Sequence, residues 1–171
     1  MVLHFVRGDA KTRSETPLET IRAGALAALR EIARSISAAW DLDSTLDLIA
    51  RKTTEVMLVD SCTIYLLDPD NETLRLRATT GLAHRALGRV TLMVGEGMTG
   101  YAVQRNEPVA AADAQHDQHF KWVDEAEETA FQSLLAVPLV IEARPIGALN
   151  VQIIKSHHFD DDEIEVHYAL T

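Results

Sequence analysis

Cysteine is almost missing from this chain of 171 residues, which contains Cys62 alone. A single thiol excludes an internal disulfide and any zinc site built from several thiolates, and it fits a reducing compartment. Long hydrophobic runs are missing too, because Arg7 and Asp9 interrupt the first apolar residues before a signal peptide or membrane span could form. We therefore expect a soluble, cytoplasmic protein.

Positive charge is scarce. The chain has 16 Lys and Arg against 26 Asp and Glu, a formal net charge of −10. Nucleic acid or an anionic membrane would require a basic face, so neither is expected as the main partner. The length and the apolar share of 47% predict one ordinary globular domain.

Helices are predicted near both ends of the chain. Residues 1–17 lack it and predict a flexible lead-in to a single domain spanning residues 18–171. Apolar residues recur every three or four positions over residues 18–40, which predicts a long amphipathic helix. The acidic run at residues 160–163 predicts the capped start of a last helix, which we expect to continue past Thr171.

A second helix is predicted after residue 40, with Asp43 as its cap. Its apolar stripe is expected to comprise Leu46, Ile49, Thr53, Val56 and Met57.

Two β-hairpins are predicted, one over residues 61–78 and one over residues 131–154. In the first, Leu74, Leu76 and Ala78 alternate with two arginines, so the second strand should have one wet face. In the second, residues 142–145 should form the turn. Shorter elements are expected between the hairpins: strands at 89–94 and 109–112, and a helix at about 99–105. This order predicts an α+β fold, a central antiparallel sheet of about five or six strands with helices packed on it.

Five segments follow one another along the chain: DLDSTLDLIARKTTEVMLVDSCTIYLLD, GEGMTGYAVQRNEPV, ADAQHDQHF, SLLAVPLVIEARPIGALNVQ and FDDDEIEV. In this order they resemble a GAF domain, over roughly residues 29–170. The resemblance implies a GAF/PAS-like sheet with a ligand cavity on one face. It also implies first and last helices that join neighbouring domains or form a homodimer.

A narrower resemblance concerns FKWVDEAEETAFQSLLAVP, residues 120–138. This segment is similar to the GAF domain at the N-terminus of the nitrogen-related phosphotransferase enzyme I, although similar loops occur in sensor kinases and cyclases. It implies a domain that senses a nitrogen-status metabolite, such as the amino acid glutamine, and regulates phosphoryl transfer by an output domain of the same chain.

A glycine motif offers a competing, enzymatic interpretation. Residues 95–100 fit the G-x-G-x-x-G pattern of dinucleotide sites, with Asp113 and Asp117 near the position of a ribose-binding acid. Such a site needs a long helix after a parallel strand, whereas Pro108 ends this helix early and Glu96 would repel a pyrophosphate. We therefore predict a structural turn, no catalytic residues and no cofactor.

Histidines in the loop at residues 113–129 raise the question of a metal. His116 and His119, with Asp113 and Asp117, could offer imidazole and carboxylate ligands. The spacing of known sites is missing, which favours a solvated polar loop without metal and leaves haem or iron ligation by a single histidine open.

Other GAF-type chemistries fit the sequence poorly. Cys62 alternates inward in its strand, which predicts a buried thiol rather than a bilin attachment site, and the methionine-sulfoxide-reducing relatives use several cysteines. Cyclic-nucleotide-binding relatives carry an Asn-Lys pair, whereas Val151 follows Asn150 here, so that ligand is disfavoured without being ruled out.

The sequence thus predicts a regulatory, small-molecule-sensing domain that signals to an output domain and is not itself an enzyme. The competing hypothesis is a dimerisation module with a vestigial pocket. The pocket should lie between the first hairpin, the glycine turn and the long loop. Its predicted lining residues are Tyr65, Leu67, Met98, Thr99, Ala102, Asp113, Phe120, Trp122, Ser133 and Leu135.

Overall fold

The computed structural model describes residues 42–122 and 131–169, without the side chains of residues 166–169. The predicted lead-in and long first helix lie outside the described residues, as do residues 123–130 of the long loop and the last two residues. No helix within the described ranges is long and apolar enough to cross a membrane.

The described chain forms one sheet of six strands and three α-helices. The helices are α1 (Leu42–Met57), α2 (Gly97–Arg105) and α3 (Asp161–Ala169). The strands are β1 (Ser61–Leu67), β2 (Thr73–Thr79), β3 (Thr91–Met93), β4 (Val109–Ala111), β5 (Ser133–Ile141) and β6 (Arg144–Ile153). All neighbouring strands pair antiparallel in the order β3-β2-β1-β6-β5-β4, which confirms the predicted α+β class.

Both predicted hairpins are present, and the second has a tighter turn than expected. Glu142 and Ala143 alone form it, with φ angles of 49° and 64°. Two positive φ angles are typical of the two-residue turns that match the twist of a hairpin. Arg144 and Pro145 therefore belong to β6 rather than to the turn.

A bulge in the β1–β2 pair corrects the predicted alternation of β2. Ile64 pairs with Ala78 and Tyr65 with Leu76, so Arg77 is an extra residue on β2. Leu76 consequently packs on one face of the sheet and Ala78 on the other. Arg77 reaches α1, where its guanidinium pairs with the Asp43 carboxylate.

One face of the sheet is covered by helix α1 and by the chain around the start of α3, and we call it the helix face. Its apolar cluster includes Cys62, Ile64, Leu135, Leu149 and Val151 from the strands. It also includes Leu46 and Ala50 of α1 and Phe159 before α3, and Ile164 of α3 packs against it.

The buried side of α1 differs from the predicted stripe. Leu46, Ala50 and Thr53 are buried, whereas Ile49 and Val56 are 40% and 72% exposed. Asp43 lies in the first turn of the helix rather than before it.

The start of α3 is capped as predicted. Glu163 N–H donates to Asp160 Oδ1 at 2.8 Å, and Asp160 N–H donates to Glu163 Oε2 at 3.0 Å. This reciprocal arrangement is a capping box, which satisfies two backbone amides and assigns the acidic run a structural role.

Candidate functional site

The opposite face of the sheet, which we call the pocket face, carries helix α2 and a small cavity of about 40 Å³. A cavity of this volume holds about two or three water molecules. Its walls include the central strands, the first turn of α2, the segment before residue 123 and an apolar side formed by Leu82, Leu92 and Phe131. The lining residues are Thr63, Tyr65, Leu82, Leu92, Gly97, Met98, Thr99, Ala114, Phe120, Lys121, Trp122, Phe131, Leu134, Asn150 and Gln152.

The floor of the cavity is polar. Thr63 of β1 faces Asn150 of β6 in register, and Gln152 lies two residues farther along β6. All three are at least 96% buried, and Thr63 Oγ1, Asn150 Oδ1 and Gln152 Oε1 have no hydrogen-bond partner. Each unpartnered buried polar group costs about 1 to 3 kcal/mol. We call these three residues the polar row.

Helix α2 is tied to this floor by one side-chain hydrogen bond. Asn150 Nδ2 donates to Thr99 Oγ1 at 2.8 Å, between two buried residues. Met98 and Ala102 of the same helix pack against Leu134 and Ala136 of β5. The first turn of α2 is therefore held firmly over the central strands.

The N-terminus of α2 opens on the cavity. Gly97, Met98 and Thr99 line it, and the residue before them, Glu96, makes no capping hydrogen bond with its side chain. The first backbone amides of a helix have no partner within the helix and lie at the positive end of its dipole. The cavity therefore has donors along one side and the acceptors of the polar row along its floor.

A further wall is formed by residues 119–122, which we call the strap. Phe120 of the strap packs against the buried cluster that includes Met98 and Leu134. In addition, the His119 ring stacks on Tyr101 of α2 with centroids 3.9 Å apart, and Lys121 Nζ forms an ion pair with Oε1 of Glu96, the residue before α2. Glu96 Oε2 also accepts from Met93 N–H at 2.8 Å. The Lys121 hydrogen bond and that of Met93 lower the pKa of Glu96 below its ordinary value.

The ten residues predicted from the sequence divide equally. Five line the cavity: Tyr65, Met98, Thr99, Phe120 and Trp122. The other five, Leu67, Ala102, Asp113, Ser133 and Leu135, are outside its lining. Among these, Leu67 packs against the apolar cluster of the pocket face and Ala102 lies one turn behind Met98 in α2.

The alternation of side chains between the two faces of the sheet explains two of these placements. Ser133 and Leu135 belong to the helix-face side of β5, whereas Leu134 between them lines the cavity. Ser133 Oγ donates to the Ala112 carbonyl at 2.8 Å and accepts from His157 N–H at 2.7 Å, so it ties β5 to the chain before α3.

Sequence reasoning missed the polar row. Asn150 and Gln152 alternate with Leu149, Val151 and Ile153 in a strand that is apolar on its other side. Polar side chains on one buried face of a central strand cost free energy unless they have hydrogen-bond partners. This pattern could have identified the floor of the cavity.

The glycine motif forms a structural turn, as predicted. Gly95 and Gly97 have φ angles of 87° and 64°, and Gly95 N–H donates to the Gly100 carbonyl at 2.8 Å. Helix α2 has nine residues, and every described strand pair is antiparallel. The described chain therefore lacks the parallel βαβ unit that a dinucleotide site requires.

The loop histidines form separate pairs with neighbouring carboxylates. His116 Nδ1 lies 2.9 Å from Asp113 Oδ2, and the bond to Asp113 raises the pKa of His116. His119 Nδ1 lies 3.3 Å from Asp117 Oδ1. In the described ranges no three His, Cys, Asp or Glu side chains are placed to hold a metal ion. That the protein binds no metal stays a prediction.

Cys62 is fully buried on the helix face, as expected from its alternation in β1. Burial raises the pKa of its thiol to about 12, so it stays protonated near neutral pH.

Comparison with known proteins identifies the family. The model of the GAF domain family, GAF_2, matches residues 39–167. This chain belongs to the GAF domain family.

Among curated relatives, it is 32% identical over 138 residues to a phosphoenolpyruvate-dependent phosphotransferase system protein of Escherichia coli strain K12. That match covers 81% of this chain and 18% of the relative. It is 26% identical over 146 residues to the Nif-specific regulatory protein of Azospirillum brasilense. That match covers 80% of this chain and 23% of the relative. The GAF chain thus spans about a fifth of the length of these relatives.

The fold agrees with a solved GAF domain. The structure from a phosphoenolpyruvate-protein phosphotransferase of Coxiella burnetii has a TM-score of 0.70 and 30% identity, over 85% of this chain and 89% of that one. The narrower resemblance to phosphotransferase GAF domains is therefore confirmed.

Proposed function

We propose that this GAF domain senses a small amino acid and transmits a conformational signal to an output domain of a larger regulatory protein. The observation that carries this proposal is the polar row, whose three unpartnered acceptor oxygens face the N-terminal amides of α2 across the cavity. Structures rarely bury such groups without a partner, and a bound ligand would supply it.

The chemistry of an amino acid matches both sides of the cavity. Its carboxylate would accept from the amides of residues 97–99, at the positive end of the α2 dipole. The ion pair with Lys121 offsets the charge of Glu96, which lies just before these amides. Its ammonium, or a side-chain amide as in glutamine, would donate to Thr63, Asn150 and Gln152. Tyr65, Met98, Phe120 and Trp122 would supply the apolar wall.

The relatives support a role in regulation. They are named as a phosphotransferase system protein and a Nif-specific regulatory protein, and each is several times longer than the part that this chain matches. An output domain that transfers phosphoryl groups or controls transcription is consistent with both names.

A role without catalysis is part of the proposal. The one thiol is buried on the face opposite the cavity and has a raised pKa. It is therefore badly placed to act as the nucleophile of a reductase.

A thermal-shift screen tests the proposal. L-glutamine, other amino acids, 2-oxo acids and cyclic nucleotides are added to the purified chain, and a specific rise in Tm that grows with ligand concentration is expected for an amino acid. Asn150→Leu should remove the shift because it removes one acceptor and the link to Thr99. Thr91→Val, on an exposed edge strand, is the control and should keep it. A panel without any specific shift would refute amino-acid sensing, and a shift with cyclic nucleotides alone would identify another ligand class.

Dimerisation is the second candidate, favoured by one feature of α1. Leu42, Ile49 and Val56 are all exposed and lie seven residues apart, which is the repeat of a coiled-coil seam. If two copies pair through this stripe, light scattering should report a dimer that Ile49→Glu dissociates. The control Arg51→Glu changes an exposed residue of the same helix outside the stripe.

A further inference from the structure

The cavity is too small for the ligand class proposed above. At about 40 Å³ it holds two or three waters, whereas an amino acid such as glutamine has about ten non-hydrogen atoms and needs several times that space. One wall of the cavity must therefore move before a ligand of this class can enter.

Moving the floor of the cavity would cost a large free energy. Thr63 lies in β1, which pairs with β2 on one side and β6 on the other. Asn150 and Gln152 lie in β6, which pairs with β1 and β5. Displacing the polar row would break ladder hydrogen bonds on both sides of each strand.

Helix α2 is held almost as firmly. Thr99 accepts a hydrogen bond from Asn150, and Met98 and Ala102 are buried against β5. Gly100 lies against the Met93 carbonyl so closely that a Cβ at this position would collide with it. Moving α2 outward would therefore open a void in a close-packed region.

The side of the cavity that Leu82, Leu92 and Phe131 form belongs to a buried apolar cluster. The strap is more exposed. Within it, Phe120 packs against the apolar cluster around Met98 and is itself half-buried. Lys121 and Trp122 are exposed, and the segment has no regular secondary structure. The Lys121 and Glu96 side chains are 44% and 34% exposed, and the His119–Tyr101 stack is partly exposed. Exposed ion pairs and single aromatic stacks are worth little compared with a strand ladder or a packed helix.

We propose that the strap is the movable wall of the binding site, held closed against α2 by the Lys121–Glu96 ion pair and the His119–Tyr101 stack. This inference rests on the proposed function, since it explains how so small a cavity admits a ligand. Strap movement exposes the polar row to solvent, and its closure buries the ligand against that row.

Alkylation of an introduced cysteine measures this opening without any ligand. Thr63→Cys places a thiol on the cavity floor. The native Cys62 contributes little background, because it is buried on the opposite face and its pKa is about 12. Iodoacetamide labelling at neutral pH, followed by intact mass, then reports how often the strap opens.

Lys121→Met should accelerate labelling of Thr63→Cys about two- to fivefold, since it removes an exposed ion pair. His119→Ala should accelerate it about two- to tenfold, since it removes the stack. Arg105→Met removes a more exposed ion pair, between Arg105 and Glu107, away from the strap, and should leave the rate unchanged.

Val151→Cys separates strap opening from unfolding. Its thiol lies on the helix face, fully buried, and is labelled only when the whole domain opens. Faster labelling at Thr63→Cys with an unchanged rate at Val151→Cys supports the proposal. Equal rates in all strap variants, or equal acceleration at both thiols, would overturn it.

Gln152→Cys is the second reporter on the floor if Thr63→Cys does not fold. Because no ligand is present, these outcomes are independent of the thermal-shift screen. Strap opening can be established even when no amino acid binds, and an amino acid can bind through a different wall.

Discussion

The two faces of the central sheet are made by the same strands and differ in how completely they are packed. On the helix face, Cys62, Leu135, Leu149 and Val151 are all at most 1% exposed and meet apolar side chains. On the pocket face, the intervening positions of β1 and β6 carry the polar row, which is at most 4% exposed and has unpartnered oxygens.

This difference separates stability from function. The helix face gains free energy from burying apolar area, whereas the pocket face loses about 1 to 3 kcal/mol for each polar group that is left without a partner. A sheet selected for stability alone would be apolar on both faces at its centre. The polar row is therefore the part of the core best explained by a ligand.

The largest effect is expected from the helix face. Leu135→Ala should lower the free energy of unfolding by about 2 to 5 kcal/mol, because it opens a cavity in a fully buried cluster. Urea denaturation measures this loss. Any ligand shift found for the unmutated protein should persist, since Leu135 is outside the cavity lining. A loss of the shift in a protein that is still folded would show that the two faces are not independent.

Two isosteric exchanges, one on each face, should differ in their effect on the free energy of unfolding. Val151→Thr buries a hydroxyl on the helix face and should cost about 1 to 3 kcal/mol. Thr63→Val removes an unpartnered hydroxyl from the pocket face and should leave stability unchanged or raise it by about 1 kcal/mol. Chemical denaturation of both variants under the same conditions makes the comparison. Similar losses in both would contradict the distinction between the faces.

The β5–β6 turn lies away from the strap and should affect the stability of the whole domain. Ala143 has a φ of 64°, which glycine adopts without strain, so Ala143→Gly should stabilise the domain by about 0.5 to 1 kcal/mol. Urea denaturation would detect it. The labelling rate at Val151→Cys, which reports global unfolding, should fall, whereas the rate at Thr63→Cys, which reports strap opening, should stay unchanged. A parallel decrease at Thr63→Cys would show that this thiol is labelled through unfolding of the domain.

The smallest effect, below about 1 kcal/mol, is expected at the rim of the pocket face. Hydrogen bonds from Lys121 and Met93 lower the pKa of Glu96 from its ordinary 4.5. The stabilisation from this carboxylate is fully present above pH 4.5 and is lost as the pH falls through the lower, folded-state value. The stability difference between the unmutated protein and Glu96→Gln, measured by thermal unfolding, should therefore shrink as the pH falls below 4.5. A difference that stays constant with pH would contradict this role of Glu96.

Most of the fold could be predicted from the sequence, because period-two alternation and turn residues define strands locally. Both hairpins, the short α2 and the acidic cap of α3 were predictable in this way. It was harder to predict which face of the sheet each strand residue lies on. The apolar residues of β5 indicate a buried strand, but Leu134 and Leu135 are equally hydrophobic, so local pattern does not decide which one faces the cavity.

Part of the cavity lining was predicted from the sequence, whereas the polar floor of the cavity was missed. Met98, Thr99, Phe120 and Trp122 could be located because the glycine turn and the aromatic loop are local features. The polar row brings together Thr63 and Asn150, which are far apart in the chain and become neighbours only through the β1–β6 ladder. A pairing of this kind depends on sheet order, which local sequence does not contain.

By itself, the sequence determined the α+β class, the antiparallel hairpins and the structural role of the glycine turn, since each depends on residues close together in the chain. Only the tertiary structure decided which face holds the cavity, and that Lys121 of the strap meets Glu96 of the turn before α2. The bulge at Arg77 shows the physical reason. One extra residue moves Ala78 to the opposite face from Leu76, and strand pairing rather than local pattern determines where that residue is accommodated.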